Sequence, residues 1–310
     1  MINLVVPIYS MRSHVDNKYY VMKDGNLQLH LARWNQGDFL IVPTNTADLR
    51  ELYKYVPAKN IYKITYFENA YETRKRFWAY NGGLIDALAG VIGAQQIITD
   101  ITGYKGALPL VNNFNISWSP IMDRPYIDEF AEMDADSIRK ARRTFVLNKE
   151  QITDMQSRFP DLVSSKFKLC TEVVNPTLLD KMAEGDPITL EPLPNRPKVL
   201  FFPFRLSDKA YDWEGVQQMY YDNTIYITDP NETYDGSNPN VVVIKPTKNE
   251  YYRILKSRPA MRYNENPQQV LHPGLGELLY FNVRLSHPNT SIMPRLEDLI
   301  VKGPVWPDLF

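Results

Sequence analysis

The sequence predicts an α/β protein of two domains facing each other across a cleft. Three observations carry that expectation. Short apolar runs alternate with helically spaced segments from residue 2 to residue 100, the pattern of a parallel sheet with right-handed crossovers. The same alternation restarts at residue 198. Between the two lies 185–197 (GDPITLEPLPNRP), with Pro187, Pro192, Pro194 and Pro197, a density that forbids regular structure and stiffens the chain. The expected division is a first domain over 1–184, a linker over 185–197 and a second domain over 198–310.

In the first domain, 2–9 (INLVVPIY) reads as a buried strand, and 26–35 has helical spacing that stops at Gly37. Residues 39–43 (FLIVP) form a second strand, and 46–55 a helix capped by Thr46. A third strand covers 61–67. A helix follows over 72–88, weakened or broken by Gly82–Gly83. The fourth strand, 95–100 (QQIITD), leads into the loop ITGYKG. Beyond residue 123 come a charged helix (131–143), a strand (144–148), a helix (149–159) and a strand (166–174).

In the second domain the strand that opens 198–213 (KVLFFPFRLSDKAYDW) is followed by a helix near 213–221 and a strand over 223–229. A turn-rich loop then leads to a strand over 241–246, a helix over 248–257, the segment LHPGLGELLYF (271–281) and a short closing helix over 293–300.

Composition narrows the function classes. The 310 residues are 44% hydrophobic and 23% charged with a net charge of −1, so no global field draws the chain to nucleic acid or membrane. A single cysteine, Cys170, excludes an internal disulfide and a multi-cysteine zinc site and suits a reducing cytoplasm. No apolar run reaches the ~18 residues of a membrane span. MINLVVPIYS lacks the basic start of a secretory leader. The motifs of serine hydrolases, P-loop enzymes, zincins and dithiol proteins are all missing. No metal site is predicted; the DADS run at 134–137 is a formal acidic match expected to face solvent from a charged helix.

Three features carry chemistry. Arg205 and Lys209 stand beyond a buried strand, where ligands of open α/β sheets bind, and a planar fork beside a point charge suits a diphosphate. An equally good reading makes them surface cations. In His272–Pro–Gly274–Leu–Gly276–Glu277 the glycines allow close backbone approach, and a carboxylate at a helix start can accept from a ribose diol. A plain loop-to-helix turn fits the same residues. Asp100 ends a strand at the sheet edge, placed to take a proton from an acceptor hydroxyl, or to act as a cap. Two basic runs, Arg74–Lys75–Arg76 and Arg139–Lys140 with Arg142–Arg143, could follow a phosphate backbone, although such runs are more often solvated helix faces.

RLSDK after its hydrophobic strand resembles the R-x4-K element of retaining GT-B glycosyltransferases, one residue shorter. GLGELLYFNV, about 70 residues on, is similar to the segment in which a glutamate of that superfamily grips the nucleotide ribose; the family's second glutamate, eight residues upstream, falls on Gln269. The resemblance implies two Rossmann-like domains, the acceptor side first and the donor side second. It also implies Arg205 and Lys209 on the donor diphosphate, and Glu277, Gly274, Gly276 and His272 around the nucleoside. ITDITGYKGALPL resembles the strand–Thr-Asp-Ile segment of T-even phage DNA β-glucosyltransferases, which implies Asp100 as catalytic base. The expected activity is transfer of a sugar from a nucleotide-diphosphate sugar, a UDP-sugar, to a hydroxyl. The favoured acceptor is a 5-hydroxymethylpyrimidine of double-stranded DNA in a phage-infected cytoplasm. No cofactor is required, and a divalent ion is compatible but not predicted. An Asp100 base implies inversion, the donor motif retention. The alternatives are a saccharide, lipid-linked or small-molecule acceptor on the same fold, a non-catalytic nucleotide-sugar-binding protein, and a sugar-nucleotide 2-epimerase.

Overall fold

The computed structural model describes residues 2–7, 34–44, 49–67, 70–99, 101–102, 114–117, 128–146, 149–169, 176–207, 211–263 and 273–286. The chain divides into two compact units, one built on Met1–Asn175 and the other on Pro176–Pro267 and Gly274–Lys302.

The first unit holds strands β1 (Asn3–Val6), β2 (Phe39–Pro43), β3 (Ile61–Ile64), β4 (Gln96–Thr99), β5 (Phe114–Ser117), β6 (Arg143–Val146) and β7 (Phe167–Leu169). They pair in the order β3-β2-β1-β4-β5-β6-β7, every neighbour parallel. Leu4, Val5, Leu40, Ile41, Ile97 and Ile98 are all buried, as continuous apolar runs in a two-sided parallel sheet must be. A polar ladder ties the strands' starts. Buried Asp38 accepts from the Asn3 backbone N–H at 2.9 Å and from Asn3 Nδ2 at 3.1 Å, and Gln96 Nε2 donates to Asn3 Oδ1 at 2.8 Å. Burial pushes the Asp38 carboxyl up against these donors, which hold it down.

The helices among the described residues of this unit are α1 (Arg50–Tyr53), α2 (Ala70–Ile92), α3 (Asp128–Lys140) and α4 (Lys149–Arg158). The expected break at Gly82–Gly83 is absent: α2 runs unbroken for 23 residues. Tertiary contacts override the propensity penalty. Phe77, Trp78, Ile85 and Ala89 pack inward, Trp78 Nε1 donates to the Ile101 carbonyl at 2.8 Å and Asn81 Nδ2 to the Thr65 carbonyl at 2.9 Å. A second expectation also fails. Asp134 and Ser137 of the DADS run are buried within α3, beside Ala131, Ala135, Ile138 and Ala141, because small side chains rather than large ones mark its inner face. The helix expected over 26–35 lies outside the described residues except for Trp34 and Asn35, which are not helical.

The second unit holds β8 (Lys198–Phe202), β9 (Asn223–Ile227), β10 (Val241–Val243), β11 (Ala260–Arg262) and β12 (Arg284–Ser286), paired in parallel in the order β10-β9-β8-β11-β12. Its helices are α5 (Pro176–Met182), α6 (Trp213–Met219), α7 (Lys248–Lys256) and α8 (Pro273–Tyr280). Thr247 and Glu250 form a reciprocal capping box at the start of α7.

The unit division falls before α5, so α5 and the proline-rich stretch, assigned from the sequence to the first domain and the linker, belong to the second unit. Asn249 Nδ2 donates to the Met182 carbonyl at 2.9 Å, Arg253 Nε to the Asp186 carbonyl at 2.7 Å, Lys256 Nζ to the Gly185 carbonyl at 2.9 Å and Tyr226 Oη to the Glu191 carbonyl at 2.7 Å. Proline removes N–H donors from 185–197, and its carbonyls are satisfied by side chains of the unit it lies along.

Candidate nucleotide site

Both sheets follow the nucleotide-binding strand order, reversing direction beside their first strand. In the second unit the reversal falls between β8 and its neighbours β9 and β11. Ligands of such sheets bind beyond the carboxyl ends of the strands at that point.

Arg205 stands three residues past β8. It is exposed, and among the described residues no carboxylate pairs with it. The turn beneath it is an aromatic stack. Phe204 lies flat against Tyr211 with centroids 4.6 Å apart, Phe202 stacks on Trp213 at 5.5 Å, and Tyr263, just past β11, meets Phe204 edge-on at 6.3 Å. Leu200, Phe202, Val216, Ile225 and Ile227 form the buried base of this cluster. Asp212 then takes a left-handed conformation (φ 47°) and caps α6, accepting from the Gly215 N–H at 3.3 Å. A Cβ at residue 215 would lie 2.2 Å from Asp212 Oδ2, so a larger residue there would displace the capping carboxylate. The aromatic cluster and the capped start of α6 thus pack near the backbone that carries Arg205 past β8. Lys209 lies outside the described residues, as do His272 and Asp100.

The neighbouring edge is also ordered by side chains. Asp229, buried just past β9, accepts from the Thr233 N–H at 3.1 Å, Thr233 Oγ1 at 2.9 Å and the Tyr234 N–H at 2.8 Å. Burial acts to raise its carboxyl, and these three donors outweigh that and hold it below the usual range.

Glu277 sits in α8 after Gly274 and Gly276. The sequence expectation put it at an open helix start, but it is only 6% exposed. Tyr252 Oη donates to its Oε1 at 2.9 Å, and no other hydrogen bond reaches the Glu277 carboxylate among the described residues. Burial pushes its carboxyl up to about 7, against the Tyr252 hydrogen bond and the Lys248 charge, which both act to lower it. A carboxylate held near neutrality by burial, with one oxygen committed, is a candidate ligand group. Sequence reasoning missed Tyr252 and Lys248, which are 25 and 29 residues before Glu277 and meet it only because α7 and α8 pack together.

In the first unit, Thr99 Oγ1 donates to the Val6 carbonyl at 2.7 Å and accepts from the Ile101 N–H at 2.9 Å. These bonds fix the chain on either side of Asp100. The basic runs show ordinary surface chemistry where they are described. Arg76 lies 3.8 Å from Glu72 and over the Phe67 ring. Arg139 makes a bidentate pair with Asp161 at 2.6 and 3.0 Å and also meets Asp136 at 3.2 Å. Lys140 and Arg142 are exposed, Lys75 and Arg143 half-buried, and nothing is described of the Arg74 side chain. No cluster of acidic, histidine or cysteine residues that could hold a metal occurs among the described residues. No described helix is long and apolar enough to cross a membrane.

Neither a protein-family model nor a curated protein sequence matches the chain. Solved structures do. UDP-GlcNAc 2-epimerase from Methanocaldococcus jannaschii aligns over 96% of this chain and 86% of its own, at 10% identity and a TM-score of 0.53. UDP-GlcNAc 2-epimerase from Neisseria meningitidis, bound to UDP-GlcNAc, aligns over 97% of this chain and 89% of its own, at 11% identity and a TM-score of 0.53. The fold is GT-B. At these identities the likeness extends to the fold alone.

Proposed function

We propose that the chain is a glycosyltransferase that binds a UDP-sugar in its second unit and transfers the sugar to a hydroxyl. The observation that carries this reading is Arg205, exposed at the end of the switch-point strand with no carboxylate pairing with it among the described residues, in a unit that also brings the buried carboxylate of Glu277 in α8. Arg205, with Lys209, offsets the diphosphate charge that grows as the nucleoside diphosphate leaves, an electrostatic role. Glu277 takes the ribose hydroxyls, Gly274 and Gly276 let the α8 backbone approach, and His272 lies beside them in sequence. Asp100 removes the acceptor's proton. The Neisseria relative's bound UDP-GlcNAc supports a uridine nucleotide.

For the acceptor, the ITDI resemblance favours a 5-hydroxymethylpyrimidine in DNA. The pairing of Arg76 and Arg139 with acidic neighbours leaves fewer cations for phosphate contacts than the sequence offered. A second reading, sugar-nucleotide 2-epimerisation, is favoured by the fold likeness to two 2-epimerases.

Incubating the protein with a panel of UDP-sugars, with and without hydroxymethylated DNA, separates these readings by mass spectrometry of nucleosides and sugar nucleotides. Glycosylated nucleoside supports the DNA reading, and an epimerised donor formed without acceptor supports the second. Asp100→Asn is expected to abolish transfer and leave UDP binding intact; unchanged transfer would remove Asp100 from the mechanism.

A further inference from the structure

We infer that Tyr252 is a positioning residue of the donor site, its hydroxyl fixing one oxygen of Glu277 so that the other is presented to the vicinal diol of the nucleotide's ribose. This rests on the donor-site reading above.

The geometry is that of a built support. Tyr252 is 1% exposed, its ring wedged against Tyr251 at 5.4 Å and Phe281 at 6.1 Å. Its packed ring fixes where the hydroxyl oxygen lies, and the O–H donates to Glu277 Oε1 at 2.9 Å. A glutamate carries three rotatable bonds, and an unsupported one gives up that freedom when it binds a diol. Held in advance, it loses little. A diol needs both hydroxyls accepted, which requires an ionised carboxylate with at least one oxygen open. No second protein donor occupies Glu277 among the described residues.

The charged and titratable groups facing it come from α7. Lys248 lowers its carboxyl, and Tyr251 is itself held above its ordinary value by burial, by the Glu277 charge and by Tyr211. From α8 the adjoining side chains are Leu278 and Leu279, both buried and uncharged. The Tyr252 hydrogen bond is thus a direct stabiliser of the ionised form that the diol needs, and losing it raises the carboxyl further.

The test is calorimetric titration of the full chain with UDP from about pH 6 to about pH 9, a window spanning the Glu277 transition. Wild type, Tyr252→Phe, Glu277→Ala and the double variant are compared as ratios at each pH, which cancels the nucleotide's own phosphate ionisation. Tyr252→Phe keeps the ring and its packing. It is expected to weaken UDP binding roughly tenfold near pH 7, as loss of a hydrogen bond to a charged group does, and to recover toward wild type at the alkaline end. In the Glu277→Ala background the same change is expected to alter Kd by less than about twofold. Equal Kd and equal pH dependence for wild type and Tyr252→Phe would overturn the inference, as would an undiminished effect in the Glu277→Ala background. If wild type and Glu277→Ala bind UDP alike, or neither binds it, the donor-site reading itself fails, a result distinct from failure of Tyr252 alone.

Discussion

At the residue scale the proposed donor site rests on Glu277 and Arg205, whose environments are opposite. Glu277 is buried with its carboxyl raised to about 7 from 4.5. The folded chain therefore binds one more proton than the unfolded chain between those pH values, and its contribution to stability is complete below about 4.5 and lost as pH rises through 7. The loss amounts to about 3 kcal/mol. Glu277→Gln is expected to flatten that part of the stability–pH curve, as chemical denaturation at a series of pH values would show. A wild-type slope unchanged by the substitution would contradict the buried placement. Arg205 is exposed, and among the described residues no carboxylate pairs with it, so its side chain contributes little to folding. Arg205→Ala is expected to leave the denaturation midpoint within about 0.5 kcal/mol of wild type while weakening UDP binding by about 2 kcal/mol or more. Part of this was legible in the sequence. The apolar run KVLFF places Arg205 just past a strand, as the structure has it, since a strand's end follows from local pattern. The burial of Glu277 was not legible, because it depends on how α7 packs on α8.

At the element scale, apolar runs with clear flanks read true, and some of the shortest strands left no signal. The β2 and β8 runs, FLIVP and KVLFF, are strands as expected. The four residues of β5 and the three each of β11 and β12 carry too little pattern to stand out, and they exist because neighbouring strands supply their hydrogen bonds. Asp134 misled for the opposite reason. Acidic neighbours suggested an exposed face, yet alanines and a serine let α3 pack that side closely. The glycine pair in α2 is a conformational cost without a geometric need. A Cβ at Gly82 or Gly83 meets nothing within 4 Å, and neither has a positive φ. Gly83→Ala, on the exposed side, is expected to stabilise the protein by about 0.5–1 kcal/mol, measured as a higher thermal midpoint. A lower midpoint would show that α2 needs the flexibility there.

At the scale of the whole molecule, two parallel sheets with the same strand logic account for the fold, and the alternation of apolar runs with helically spaced segments makes them legible in the sequence. Proline density suggests a separate linker over 185–197, whereas the second compact unit takes in that stretch. In the structure the proline-rich stretch is held by Arg253, Lys256 and Tyr226 of the second unit, and a sequence does not show which carbonyls will find donors. Binding of a uridine nucleotide by the second unit through Arg205 and Glu277 is the proposal on which the rest depends, and calorimetric titration of the intact chain with UDP measures it. One site per chain is expected, weakened by Arg205→Ala at every pH and by Glu277→Gln chiefly above pH ~7. No heat of binding in wild type, or binding untouched by both substitutions, would contradict it.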